Sequence, residues 1–233
     1  MKGILFGLGV GPGDPELLTL KALRLIRESE VIAVPGNNVK ESVAYKIVKG
    51  AYDSLDEKKL IPVAMPMTKD PKVLEANHDK AADDVEAWLK EGKNVAFLTL
   101  GDPTVYSTYL YVHKRIVERG YEAEIVSGIT SFCAVAARLN MGLVEMAEPL
   151  HVIPATYNAA TMDDILKLPG TKVLMKTGKK LKQVRESLLE SGQAAVMIED
   201  CGMPTEKIYE CAEDIPEQSG YYSLIIAKEK ETL

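Results

Sequence analysis

Cysteine is scarce, three in 233 residues. An odd, sparse count excludes a disulfide-stapled secreted scaffold and fits a reducing, cytoplasmic compartment. Aromatic residues make up only 6% of the chain, and positive charge is outnumbered, 28 Lys and Arg against 34 Asp and Glu for a net charge of −6. A nucleic-acid binder needs a basic face to neutralise phosphates and, for single strands, aromatic platforms, so the composition argues against a nucleic-acid partner. No apolar run approaches the ~18 residues of a membrane helix, so no membrane partner is expected. The apolar stretch Ile4–Val10 behind Met1-Lys2 has the look of a signal peptide. It is cut by Gly7 and Gly9 and has no small-residue cleavage site, so no leader is expected.

Several catalytic motifs are missing as well. Gly7-x-Gly9 would need a third glycine at position 12 for a dinucleotide fingerprint, and that residue is Pro12. There is no Gly-Lys-Ser/Thr for a phosphate loop and no Gly-x-Ser-x-Gly nucleophile elbow. His78, His113 and His151 lie far apart with no Cys or His at ligand spacing, so no metal is expected and each reads as a surface or satisfied core residue. Cys133, in the apolar segment Phe132-Cys-Ala-Val-Ala, is expected to be a small buried side chain. Hydrolysis by an activated nucleophile or a metal is disfavoured.

What is present is a globular composition, 46% hydrophobic and 27% charged, in a chain long enough to bury roughly 70% of its unfolded surface. The rhythm is strand, Gly-rich turn, helix. Strands are expected at Ile4–Val10, Val31–Val34, Leu60–Ala64 and Asn94–Leu100, and helices at Leu17–Ser29, Ser42–Lys49, Lys72–Glu91 (closed by Gly92) and Val105–Arg119. Continuously apolar strands alternating with helices imply an α/β fold with a mostly parallel sheet covered on both faces. From about Gly120 the pattern starts again, with strands at Glu122–Val126, Leu150–Ala155, Lys172–Lys176 and Ala194–Glu199 and helices at Thr130–Asn140, Asp163–Leu168 and Lys180–Ser191. Lys207–Cys211 and Tyr221–Ala227 lack an intervening helix and are expected to pair antiparallel. The expected organisation is two α/β domains, 1–119 and 120–233, each with a mixed, largely parallel sheet and flanking helices.

Three strand-to-helix turns stand out. The first is Gly7-Leu-Gly-Val-Gly-Pro-Gly-Asp14-Pro15, where Asp14 suits an N-cap and Pro15 the first helical position. The second is Leu98-Thr-Leu-Gly-Asp-Pro-Thr-Val-Tyr106, in which Gly101 permits close backbone approach and Asp102 supplies a carboxylate. The third is Ile125-Val-Ser-Gly-Ile-Thr-Ser131. In parallel α/β sheets ligands lie beyond the carboxyl ends of strands, where all three turns fall. None of the three carries Lys or Arg, which disfavours a bare polyphosphate and suits a zwitterionic or cationic ligand such as S-adenosylmethionine.

The segments Gly9-Val-Gly-Pro-Gly-Asp-Pro-x-Leu-Leu-Thr-Leu-Lys-Ala22, Gly101-Asp-Pro-x-x-Tyr106 and Gly128-Ile-Thr-Ser-Phe132, in this order, resemble the signatures of the tetrapyrrole (corrin/porphyrin) methylases. Val31-Ile-Ala-Val-Pro35, Pro66-Met-Thr68, Leu98–Ser107 and Thr130–Leu139 followed by Glu148-Pro-Leu-His-Val-Ile-Pro154 are similar to the branch that methylates C20 of precorrin-2 or cobalt-factor II. The resemblance covers the chain nearly end to end, including the closing Tyr222-Ser-Leu-Ile-Ile226. It implies a two-domain fold with S-adenosylmethionine in the cleft between domains, S-adenosylhomocysteine as product, and a homodimer. It implies cofactor contacts at Pro12, Leu100, Gly101, Asp102, Val105, Thr130 and Ser131, and further ones at Met175, Lys176, Cys201 and Gly202. Two residues depart from the family pattern: Ser127 where Pro is frequent, and Ser107 where Gly often follows the aromatic residue.

For methyl transfer to a meso carbon, Tyr106, Tyr109 and Asp14 are the candidates on the substrate side, with aromatic packing as the alternative for the two tyrosines. Asp102 is assigned to the cofactor, or else to an Asx turn. A polycarboxylate tetrapyrrole calls for local positive charge. Lys172, Lys176, Lys179, Lys180, Lys182 and Arg185 form the densest basic stretch, of which Lys176 and Lys179 are assigned to substrate carboxylates, a solvated helix face being the other reading. The rival functions are methylation elsewhere on the macrocycle, on a protein histidine derivative or on ribosomal RNA, and a non-catalytic module that binds S-adenosylmethionine.

Overall fold

The computed structural model describes residues 2–66, 68, 70–155 and 162–229; Met67 and the Lys179 side chain lie outside the described residues. The chain divides into two compact units, Met1–Thr130 and Ser131–Leu233. The division thus falls beyond the expected Gly120. The reason is the strand Ala123–Val126, which pairs with the first strand of the chain and belongs to the first sheet.

In the first unit, β1 (Leu5–Gly9), β2 (Val31–Pro35), β3 (Lys59–Val63), β4 (Val95–Thr99) and β5 (Ala123–Val126) form one sheet in the order β3-β2-β4-β1-β5. Every pairing is parallel, as unbroken apolar strands require. Alternation along the strands sends Phe6, Leu8, Val10, Ile32, Val34, Ala96 and Leu98 to one face, packed against α1 (Leu20–Glu28) and α2 (Val43–Ala51). Leu5, Val31, Ala33, Val95 and Phe97 take the other face, under α3 (Pro71–Lys90) and α4 (Tyr109–Glu118). Each Val, Leu, Ile or Phe among them, removed from water, contributes roughly 1.5–3 kcal/mol.

Helix ends follow their caps. Asp70 accepts from the Lys72 and Val73 amides before Pro71, and α3 stops where Gly92 turns left-handed at φ 79. The expected helix from Leu17 is split: Asp14 caps a short 3-10 turn, Pro15–Leu17, and Thr19 then caps α1. The expected helix from Val105 begins only at Tyr109, because Tyr106 adopts φ 50 and cannot continue a right-handed helix.

In the second unit, β6 (Leu150–Pro154), β7 (Thr171–Met175), β8 (Ala194–Glu199), β9 (Lys207–Tyr209) and β10 (Ser223–Lys228) run in the order β6-β7-β10-β8-β9. Helices α6 (Met162–Leu166) and α7 (Leu181–Ser191) cover one face, and α5 (Ser131–Arg138) contributes Val135 and Ala136 to the core on the other. Only β6 and β7 pair in parallel; β10 is antiparallel to both β7 and β8, and β9 to β8. The second sheet is mixed, as expected, but mostly antiparallel, and the two tail strands pair with β8 instead of with each other, which corrects that pairing. Without a crossover helix, β10 can return only in the opposite sense, and it inserts between β7 and β8.

Candidate functional site

At the carboxyl end of the first sheet the three turns meet. Beyond β1 and β4, Gly11 and Gly101 form a two-way bridge, their amides donating to each other's carbonyls at 3.3 and 2.9 Å, with φ of 76 and 70. Beyond β5, Gly128 is pressed against the same point. A Cβ on Gly128 would lie 2.2 Å from the Gly101 carbonyl oxygen, and one on Gly9 would lie 2.4 Å from the Gly128 nitrogen. Backbone therefore packs on backbone here, and only glycine permits it.

Asp102 fastens the arrangement. It is 7% exposed; Oδ1 accepts from the Thr104 amide at 2.7 Å and the Thr104 hydroxyl at 2.5 Å, while Oδ2 accepts the Gly128 amide at 2.9 Å. Its carboxylate thus makes the Asx turn named as the alternative and ties the second turn to the third, holding the neighbouring backbone in place.

The turns also bring residues with spare capacity to one sheet end. Pro12 is buried beside Gly11, and Leu100 and Val105 are half-buried. Thr130 is half-buried, yet its hydroxyl oxygen is fully covered and has no hydrogen-bond partner; the same is true of the Thr99 hydroxyl. Asp14 is half-buried and its Oδ1 accepts the Glu16 amide at 2.8 Å, as a cap should. Tyr106 stands 47% exposed in its left-handed backbone.

Tyr109 is a correction. It is fully buried, its ring lies where a Gly7 side chain would be, and its hydroxyl meets His113 Nδ1 at 3.0 Å. Burial holds its phenol well above the usual tyrosine range, so it packs the sheet and does not face a substrate. Cys133 is likewise corrected: it is exposed, because α5 buries Ala134, Val135 and Ala136 instead.

In the second unit, Ser131 opens α5. Met175–Lys176 and Cys201–Gly202 lie at one end of the sheet, since β7 and β8 both flank the start of β10, pairing Met175 with Leu224 and Glu199 with Ser223. Lys176 and Asp200 both adopt left-handed backbone, φ 57 and 54, just past their strands. Such conformations cost free energy and gather at functional turns. Burial lowers the Lys176 ammonium pKa and, with the Asp200 charge nearby, raises that of the Tyr222 phenol. Beneath them the buried Thr177 and Ser223 hydroxyls share a 3.1 Å hydrogen bond. Asp200 and the Thr99 hydroxyl were not singled out by the sequence reading; a lone polar residue closing an apolar strand was the available signal for Thr99.

The basic stretch does not form one patch. Lys172 lies inside the sheet, 0% exposed, with no partner for its ammonium, while Lys182 pairs with Glu217 at 3.2 Å and Arg185 donates to the Glu213 carbonyl. Among the described residues no group of three or more His, Cys, Asp or Glu is placed to hold a metal ion, and no helix is long and apolar enough to cross a membrane.

Glycine turns without basic side chains, backed by partnerless hydroxyls, fit a nucleoside of low negative charge better than a polyphosphate. Comparison with known proteins agrees. The chain is 42% identical over 174 residues to the probable cobalt-precorrin-2 C(20)-methyltransferase of Methanocaldococcus jannaschii, covering 74% of this chain and 72% of that one. It is 32% identical to the cobalt-precorrin-2 C(20)-methyltransferase of Salmonella typhimurium, covering 99% and 98%. Of the cobalamin biosynthesis protein CobIJ of Mycobacterium tuberculosis, 33% identical over 96% of this chain, it spans only 45%. Among solved structures, the uroporphyrin-III C-methyltransferase of Thermus thermophilus complexed with S-adenosylhomocysteine shares the fold, with a TM-score of 0.71 at 22% identity, covering 97% of this chain and 98% of that one. The family described as tetrapyrrole (corrin/porphyrin) methylases matches residues 5–215, and the chain belongs to it.

Proposed function

We propose that this chain transfers a methyl group from S-adenosylmethionine to C20 of precorrin-2 or its cobalt-bearing counterpart, as a step of cobalamin biosynthesis. What carries the reading is the meeting of the three glycine turns in a relative of C20-methyltransferases that matches one of them over nearly its whole length. The cofactor, when bound, supplies a methyl group on a positively charged sulfur that leaves as a neutral thioether. The acceptor carbon gives the electron pair of the new bond and afterwards loses its proton.

The work left to the chain is therefore positioning, which is worth several kcal/mol in such a displacement. Pro12, Leu100, Gly101, Val105, Thr130 and Ser131 are the proposed contacts to the nucleoside, with Met175, Lys176, Cys201 and Gly202 from the second unit. Asp102 holds the Gly101 and Gly128 turns rigid. Tyr106 and Asp14 are proposed to face the tetrapyrrole and to assist departure of the proton, directly or through water. Lys176 is proposed to meet a substrate carboxylate; charge reversal there raises KM if so and leaves it unchanged if not. The reading further includes a homodimer and a cytoplasmic location.

The test is incubation with S-adenosylmethionine carrying a 13C-methyl group, using metal-free and cobalt-loaded substrate in separate reactions. One labelled methyl at C20, located by NMR and mass spectrometry, supports the proposal. A methyl at another ring position, or on RNA or protein, replaces it with another member of the family. Cofactor binding without turnover on any tetrapyrrole makes the chain a non-catalytic module.

A further inference from the structure

Thr99 ends β4, and its side chain poses a problem that the sheet does not solve. The residue is 7% exposed and its hydroxyl has no hydrogen-bond partner. Strand alternation puts it on the face of Val95 and Phe97, and its register partner on β1 is Gly9. On that face Gly7 and Gly9 carry no side chains, and the backbone of Gly101 and Gly128 packs directly against Gly9. Thr99, the register partner of Gly9, therefore ends its strand beside the residues at which the three turns meet. The Thr99 carbonyl there accepts the Val10 amide at 2.9 Å, while the hydroxyl bonds to nothing.

Valine would supply the same β-branched shape in a strand otherwise built of Val, Ala, Phe and Leu. A buried hydroxyl left unpaired is a cost with no structural return. The Thr130 hydroxyl, on the third turn, is buried and partnerless in the same way. Two such groups at one sheet end are accounted for by one partner that binds there.

We propose that the Thr99 hydroxyl is a cofactor-binding group, hydrogen-bonded to a polar group of the sulfonium nucleoside held by the three turns. The assignment rests on the methylase reading above. It adds to the turns a side chain that recognises the ligand directly, one strand residue before the Leu100–Asp102 segment.

The experiment compares wild-type protein with Thr99→Val and Thr99→Ser. It measures the melting temperature without ligand and the affinity for S-adenosylhomocysteine by calorimetry. Thr99→Val is expected to melt at or above the wild-type temperature, because it removes an unpaired polar atom, and to bind S-adenosylhomocysteine roughly five- to tenfold more weakly. Thr99→Ser, which keeps the hydroxyl, is expected to bind within about twofold of wild type. A Thr99→Val protein that binds as tightly as wild type overturns the assignment and leaves the hydroxyl to an ordered water. Wild-type protein that does not bind S-adenosylhomocysteine at all overturns the methylase reading together with this one. Should Thr99→Val fail to fold, Thr99→Ala is the substitute, with the same expected loss of affinity.

Discussion

A single carboxylate ties two of the three turns together, and single atoms decide several other properties of this protein. Asp102 uses both oxygens as acceptors, for Thr104 and for Gly128. Asp102→Asn replaces one acceptor by a donor that faces another donor. The expected loss is about 1.5–3 kcal/mol of stability in urea unfolding, with weaker S-adenosylhomocysteine binding. Unchanged unfolding would remove Asp102 from its role as the fastening. Gly128→Ala forces a Cβ to 2.2 Å from the Gly101 carbonyl oxygen, and is expected to cost about 3 kcal/mol by the same measurement.

Lys172 shows the opposite sign. Its ammonium is buried without a partner, and burial lowers its pKa from 10.5, with Glu148 and Glu229 opposing the shift in part. Lys172→Met should therefore stabilise the fold by about 1–3 kcal/mol near neutral pH. The unfolded chain keeps this proton up to pH 10.5 while the folded chain sheds it sooner, so wild-type stability falls as pH drops from 10.5 towards the folded pKa. The advantage of methionine grows over that range. A stability difference between the two proteins that does not vary with pH would contradict the assignment.

At the level of elements, α3 and α4 are joined by a polar seam over an apolar core. Arg115 on α4 donates to Glu75 and Asp79 on α3, each at 2.6 Å. Beside it the buried His78 ring stacks on Tyr111 at 4.3 Å and 7°. Burial, with the Arg115 charge, holds the His78 pKa below its ordinary 6.5, and Glu75 and Asp79 oppose this. Burial does the same to His113 beneath Tyr109. In both cases the unfolded chain takes up protons more readily than the folded one. Stability is therefore held above about pH 6.5 and lost as pH falls through the folded pKa values. The melting temperature of wild type should drop more steeply between pH 7 and 5 than that of His78→Gln. Parallel curves would show that His78 does not titrate across folding.

The elements were also where the sequence was read most easily and most unevenly. β1, β2 and β4 were visible as apolar runs, and the ends of α3 were marked by Asp70, Pro71 and Gly92. The late start of α4 and the place of β10 were not visible. The first depends on a left-handed Tyr106, and the second on pairing between strands far apart in sequence. At the candidate site, Gly, Pro and Asp marked the three turns as turns. The partnerless Thr99 hydroxyl, the doubly used Asp102 carboxylate and the buried Lys172 ammonium depend on which atoms meet in space, which residue order alone does not encode.

At the scale of the whole molecule, the two units are built on sheets of different kinds. The first is wholly parallel and ends in the glycine junction; the second is mixed and ends in the left-handed turns at Lys176 and Asp200. A net charge of −6 leaves the recognition of an acidic tetrapyrrole to a few placed cations rather than to a general field. Raising ionic strength is therefore expected to change substrate KM only modestly, and a collapse of binding at moderate salt would point to long-range steering instead. The expected changes in S-adenosylhomocysteine binding presume that the first-unit turns hold the methyl donor. The most direct test is a crystal structure of the protein soaked with S-adenosylhomocysteine. The account predicts nucleoside density against Pro12, the Leu100–Asp102 backbone and the Thr99 and Thr130 hydroxyls. Density lodged elsewhere, with those hydroxyls bonded only to water, would contradict it.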